Sequence, residues 1–274
     1  MDRHSGTTPT CYLSGLIVAM TNAPIVEVIA ELRWGEGNPI HPAPFAFANE
    51  SDYIKFGIEV GKFGYNQLER TMPQGIPGQP GGTVAYRYRL GEGDFNTLYQ
   101  LGVGIFTTNG VAPYTSWATF RDVLHRGVEA LNVVSPLASK AEVWCVVKYI
   151  DFFNESHLAG LTATEFFADV VGLQYQELDS AKDFSTDTSA SSMRFFYSSK
   201  DSNGRELALD VGEGGLHDKP GIVMNTTIIS SALKTESVED VMTSFDDLQA
   251  VAHKTFFEMV NRSARVSANL GLGG

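Results

Sequence analysis

Charged and amide side chains recur at alternate positions of short apolar segments in this chain. That spacing can build either an anion clamp or a ladder of ion pairs. In Ile25-Val26-Glu27-Val28-Ile29-Ala30-Glu31-Leu32-Arg33-Trp34, an extended backbone puts Glu27, Glu31 and Arg33 on one side, with Val26, Val28, Ala30, Leu32 and Trp34 on the other. In Tyr86-Arg87-Tyr88-Arg89-Leu90 the two arginines oppose two tyrosines and a leucine. Gln100 and Lys148 hold comparable positions in later segments, so the candidate binding residues are Glu27, Glu31, Arg33, Arg87, Arg89, Gln100 and Lys148. Arginines on a common face offer paired donors to a carboxylate or phosphate. Alternating opposite charges on neighbouring strands also satisfy one another, contributing about 0.2–1 kcal/mol per pair.

Familiar catalytic patterns are missing. A restriction-type nuclease needs a carboxylate, one spacer and a lysine, and the chain has no Asp/Glu-x-Lys triplet. Arg121 and His125 lie closer together than the Arg/His pair of one helical ribonuclease class requires. The six histidines, His4, His41, His125, His157, His217 and His253, are dispersed without zinc-site spacing. No Gly-x-Ser-x-Gly elbow occurs, and Gly102-Val103-Gly104 lacks the third glycine of a dinucleotide turn and leads into more strand. Asp210 to Lys219, rich in glycine and acid and containing His217, reads as a loop between strands. No cofactor and no metal are called for.

A formal charge of -12, with 20 Lys plus Arg against 32 Asp plus Glu, repels phosphate backbones, and no basic patch is segregated from it. Direct nucleic-acid contact is disfavoured; a cationic protein partner suits the field better, and a homo-oligomer is left open. Cys11 and Cys145 are too few for a disulfide framework, which places the chain in a reducing cytoplasm. Cys145 sits in an apolar run and reads as a small buried hydrophobe. No segment approaches the roughly 20 apolar residues that cross a bilayer. Residues 1–19 imitate a signal peptide poorly and read as a disordered extension, with Met20 as an alternative start.

The elements that must position these residues follow from periodicity. After the first strand, 35–44 is a Gly/Pro loop; Tyr53, Phe56, Val60 and Phe63 then mark a helix, and 72–83 is a second loop. Strands over Thr83–Leu90 and Thr97–Asn109 form a hairpin through Gly91-Glu92-Gly93-Asp94. A helix follows on Trp117, Phe120, Leu124, Val128 and Leu131, capped by Thr115 or Ser116, and then a strand over Glu142–Phe153. This order, strand, helix, two strands, helix, strand, predicts a ferredoxin-like unit over 20–155. Residues 156–274 predict a helix over Thr162–Val171, a meander of Met193–Ser199, Glu206–Val211 and Ile222–Ser230, and a C-terminal helix striped by Val241, Phe245, Leu248, Ala252, Phe256 and Met259. The fold class is therefore α+β, with a second antiparallel sheet covered by that helix and sharing an interface with the first half.

Asn22-Ala23-Pro24-Ile25-Val26-Glu27-Val28, Tyr88-Arg89-Leu90-Gly91-Glu92-Gly93, the run from Tyr99 to Asn109 and Lys148-Tyr149-Ile150-Asp151 resemble a sporadically distributed, uncharacterised bacterial and archaeal family of about this length. The resemblance spans residues 20 to 260 and includes Tyr114, Trp117 and Phe120 and a closing helix like Asp246–Val260. Lys148 departs from it, since the family usually has arginine there, and a lysine lacks the planar fork for a bidentate contact. The resemblance implies a prokaryotic source and no particular reaction; the family's scattered distribution is like that of defence and toxin-neutralising genes. The expected function is a non-enzymatic protein-binding component of such a system. The alternative is an enzyme or sensor for a small anion such as a nucleotide, held by Arg33, Arg87 and Arg89.

Overall fold

The computed structural model describes residues 20, 22–35, 50–71, 82–91, 97–111, 114, 116–174 and 193–272. The expected extension 1–19, the bulk of the two Gly/Pro loops, the turn at 92–94 and Thr115 lie outside the described residues.

The protein is α+β, built on one antiparallel sheet with helices on one side. The strands are β1 (Ile25–Trp34), β2 (Gln67–Arg70), β3 (Val84–Arg89), β4 (Thr97–Gly102), β5 (Ile105–Val111), β6 (Val143–Phe153), β7 (Arg194–Lys200), β8 (Glu206–Leu216) and β9 (Lys219–Ile229). They form a 9-stranded sheet in the order β2-β3-β4-β5-β1-β6-β9-β8-β7. The expected second sheet is thus not separate. β9 pairs with β6 from Val146↔Ile229 to Phe153↔Ile222, which joins the meander to the first half.

The helices are α1 (Glu50–Gly61), α2 (Trp117–Val134), α3 (Glu155–Leu158), α4 (Ala163–Phe166), α5 (Val238–Val260) and α6 (Ala264–Asn269), with a π turn over Phe167–Val171. Their starts follow local chemistry. Ser116 Oγ accepts from Thr119 N, Ser237 Oγ from Asp240 N, and Thr162 and Glu165 close a capping box, each satisfying amides that have no partner inside the helix.

Two apolar clusters lie under the helices. One joins Val28, Ala30, Leu32, Tyr88, Tyr99, Phe106 and Val147 of the sheet to Phe56 of α1, Leu124 of α2 and Phe245 of α5. Phe56 meets Tyr88 edge-on at 5.0 Å and Phe106 at 5.6 Å, the arrangement that aromatic quadrupoles favour. The other cluster joins Phe153, Val211 and Met224 to Phe166, Phe256 and Val260. A register shift lies between Ile25 and Glu27, and Ile25, rather than the expected Val26, packs against the core.

Two segments differ from their sequence expectation. Thr97–Asn109 is not one strand; β4 and β5 fold back on each other through Val103–Gly104, with Gly104 at φ 66, where a Cβ would lie 2.5 Å from the Trp34 carbonyl oxygen. Asp210–Lys219 is not a loop; β8 and β9 pair from Glu206↔Ile229 to Leu216↔Lys219 and turn at His217 (φ 50) and Asp218 (φ 62). Successive left-handed residues match the twist of a two-residue hairpin.

Candidate functional site

The strand alternation that buries Val28, Ala30 and Leu32 turns Glu27, Glu31 and Arg33 to the face opposite the helices. Register carries this face across the sheet, since Glu31 lies opposite Thr107 on β5, Gln100 opposite Thr107 on β4, Arg87 opposite Gln100 on β3 and Glu69 opposite Arg87 on β2. Lys148 of β6 lies opposite Ile29. All the sequence-nominated residues therefore share one face.

They form two sets of contacts. Glu31, only 5 % exposed, sits between Arg33 Nη2 at 2.6 Å and Lys148 Nζ at 2.5 Å. A carboxylate so buried needs such charge-assisted partners to offset its lost hydration. The second set runs sideways. Arg87 Nε donates to Gln100 Oε1 (2.9 Å), Gln100 Nε2 to Asn109 Oδ1 (3.0 Å), and Asn109 Nδ2 to Glu27 Oε1 (2.8 Å). Thr107 Oγ1 also donates to Asn109 Oδ1 at 2.7 Å. Beyond Arg87, Glu69 receives looser contacts from Arg87 Nη1 at 3.7 Å and Arg89 Nε at 3.6 Å. Sequence reading missed Glu69, Thr107 and Asn109. The last two were masked by reading β4 and β5 as one strand.

A second polar locus lies on the helix side, between the two apolar clusters. Asp151 of β6 falls in phase with Val143, Cys145, Val147, Tyr149 and Phe153, so the pleat delivers its carboxyl to the core at 4 % exposure. Its neighbours in register are Ile25 and Met224. Among the described residues no hydrogen-bond or ion-pair partner reaches it, and burial pushes its pKa up to about 7. Close by, Thr226 lies opposite Tyr149 with its buried Oγ1 unpartnered. The Tyr149 hydroxyl is itself pushed well up, chiefly by burial and then by Tyr114.

The remaining candidates have structural roles. Arg121 Nε reaches both oxygens of Asp246 at 2.9 Å, and Trp117 Nε1 donates to the same carboxylate at 2.8 Å, so this arginine ties α2 to α5. His125 Nδ1 lies 3.5 Å from Glu129, and His157 closes the cap at Asn154. Cys145 is fully buried, and burial pushes its thiol up to about 12, the inert state expected of it. No group of His, Cys, Asp and Glu among the described residues is arranged to hold a metal ion, and no helix among them is long and apolar enough to cross a membrane. Compared with known proteins, the chain matches no family model, no curated protein and no solved structure, so the site is read from its geometry.

Proposed function

We propose that this chain is a non-enzymatic protein-binding component, a neutralising or accessory protein of a prokaryotic defence or toxin–antitoxin system, that works in the cytoplasm and contacts its partner through the charged sheet face. The observation that carries the reading is the saturation of that face. Glu31 holds Arg33 and Lys148, and Gln100 and Asn109 bridge Arg87 to Glu27, so the sheet presents a fixed pattern of charge rather than a vacant clamp. Such patterns select a partner by electrostatic complementarity and set its encounter rate. The formal charge of -12 directs the choice toward a cationic partner. The assignment to a defence system rests on the family resemblance alone. The same reading takes β1–β6 as a ferredoxin-like unit in which a hairpin replaces one strand, with residues 156–274 as an added half.

The test is affinity purification of the tagged chain from its native host beside a Glu27→Lys/Glu69→Lys variant, which reverses two acids of that face. A stoichiometric protein captured by the parent and lost from the variant is the expected outcome. Absence of any stoichiometric partner, or equal capture by both, refutes the reading.

A small-anion sensor is the second reading. It is favoured by the long contacts of Arg87 and Arg89 to Glu69, 3.7 and 3.6 Å, which an anion can displace. A nucleotide panel in thermal-shift format decides it, and a flat response removes it.

A further inference from the structure

β7 closes the sheet at one end, and its only strand partner among the described residues is β8. Natural proteins usually protect such an edge with charge, proline, a bulge or a cover, because its outward N–H and C=O groups template another strand. The 7-residue edge here is Arg194-Phe195-Phe196-Tyr197-Ser198-Ser199-Lys200. Phe196 is 67 % exposed and Tyr197 43 %. The cations at its ends are drawn inward, Arg194 to Asp210 and Lys200 to Glu206 of β8. The charges of the edge thus lie at its two ends, and its centre is aromatic.

We infer that β7 is an isologous interface at which two copies of this chain pair their edges antiparallel, with the twofold axis at Phe196. Directly opposite residues in an antiparallel pair project to the same face, so a dyad perpendicular to the sheet must set some residue opposite its own copy. Few choices centre the strand. A dyad at Tyr197 sets Arg194 against the other copy's Lys200, two cations that repel. A dyad at Phe195 leaves Tyr197 opposite Met193. A dyad at Phe196 sets Phe195 opposite Tyr197 on the helix-bearing face, Phe196 opposite itself on the other, and Arg194 opposite Ser198. Aromatic cross-strand pairs are favourable and like charges unfavourable, so charge and shape select the same register. Among the described residues the approach is open on both faces. Tyr197 lies on the helix-bearing side, opposite Leu209, and its exposure shows that the helix layer stops short of this edge. Pairing of one strand falls at the small end of protein interfaces, so the dimer forms in a concentration-dependent way.

Sedimentation velocity on the full chain tests this over about 1 to 100 μM, a range suited to a small interface. The parent chain is expected to pass from monomer to dimer. Phe196→Glu and Phe196→Lys, each facing its own charge across the dyad, are expected to weaken association by at least about tenfold while keeping the parent's circular dichroism and melting temperature. An equimolar mixture of the two is expected to recover the dimer, because opposite charges then meet at the axis. A parent that stays monomeric throughout, single variants that dimerise like the parent, or a mixture that fails to recover each overturns the inference. A monomeric chain that takes up an extended segment of another protein along β7 replaces it.

Discussion

Asp151 and Glu31 are both buried acids of the sheet, and they differ in what surrounds them. Glu31 has two cations, whereas Asp151 has only apolar neighbours in register and an unpartnered threonine nearby. The consequence for Asp151 is a pH dependence of known sign. Its folded pKa, about 7, lies above the ordinary 3.8, so the native state binds more protons than the unfolded state between those values, and stability falls as pH rises through that window. Below pH 4 the shift contributes no penalty; above pH 7 it costs up to roughly 4 kcal/mol. Asp151→Asn is expected to stabilise the protein at pH 8, to change it little at pH 4, and to flatten the intervening slope in urea titrations; an unaltered slope refutes this. Substitution at Glu31 acts in the opposite sense, because it removes an ion-pair partner. Glu31→Gln removes the carboxylate that holds Lys148 Nζ on the half-buried face and is expected to cost about 1–3 kcal/mol by chemical denaturation. Adding Lys148→Met should recover part of that loss, since the pair is coupled. Both residues were readable from spacing. Glu31 was recognised because its neighbours on that face are charged. Asp151 was passed over although it is the one acid in phase with the apolar side of its strand.

Glycines decide several elements, and they were the least readable feature. Gly57 and Gly61 lie within α1, which forms despite their low helix propensity because Tyr53, Phe56 and Val60 bury one face. The glycine run of β8 suggested a loop, yet it lies in a strand paired along its whole length with β9. Close packing against this hairpin explains part of the composition. A Cβ at Gly214 would lie 2.9 Å from Val223 Cγ2, and one at Gly221 2.5 Å from the Phe153 carbonyl oxygen. The cap of α2 at Ser116 was legible, because a side-chain acceptor before an apolar stripe is a local signal. Gly127 in α2 makes a test of packing against propensity. Alanine there gains about 1 kcal/mol of helix propensity, but its Cβ would stand 2.5 Å from Tyr99 Cε1 and 2.7 Å from Phe106 Cζ, both rings fully buried. Overpacking of this kind costs about 1–3 kcal/mol, so Gly127→Ala is expected to lower the melting temperature. A rise would mean that the rings move aside.

At the scale of the molecule, α5 binds the two apolar clusters into one unit. Val241, Phe245, Leu248 and Ala252 belong to the first, and Phe256, Met259 and Val260 to the second. Sequence periodicity found this helix and its stripe. The β6–β9 pairing beneath it is not legible in the sequence, because nothing local in either strand names a partner about 70 to 80 residues away. With one sheet and one bridging helix, differential scanning calorimetry is expected to show a single cooperative transition. Two resolved transitions would mean that the clusters melt apart. The bridging role also has a bearing on biosynthesis. α5 follows all nine described strands in the chain, so during translation neither cluster can be sealed until it emerges, and strands with broad hydrocarbon faces wait uncovered until then. Chaperone dependence and losses to early aggregation should therefore track the rate at which the codons of α5 are read, more than the rate at which those of β1 are read.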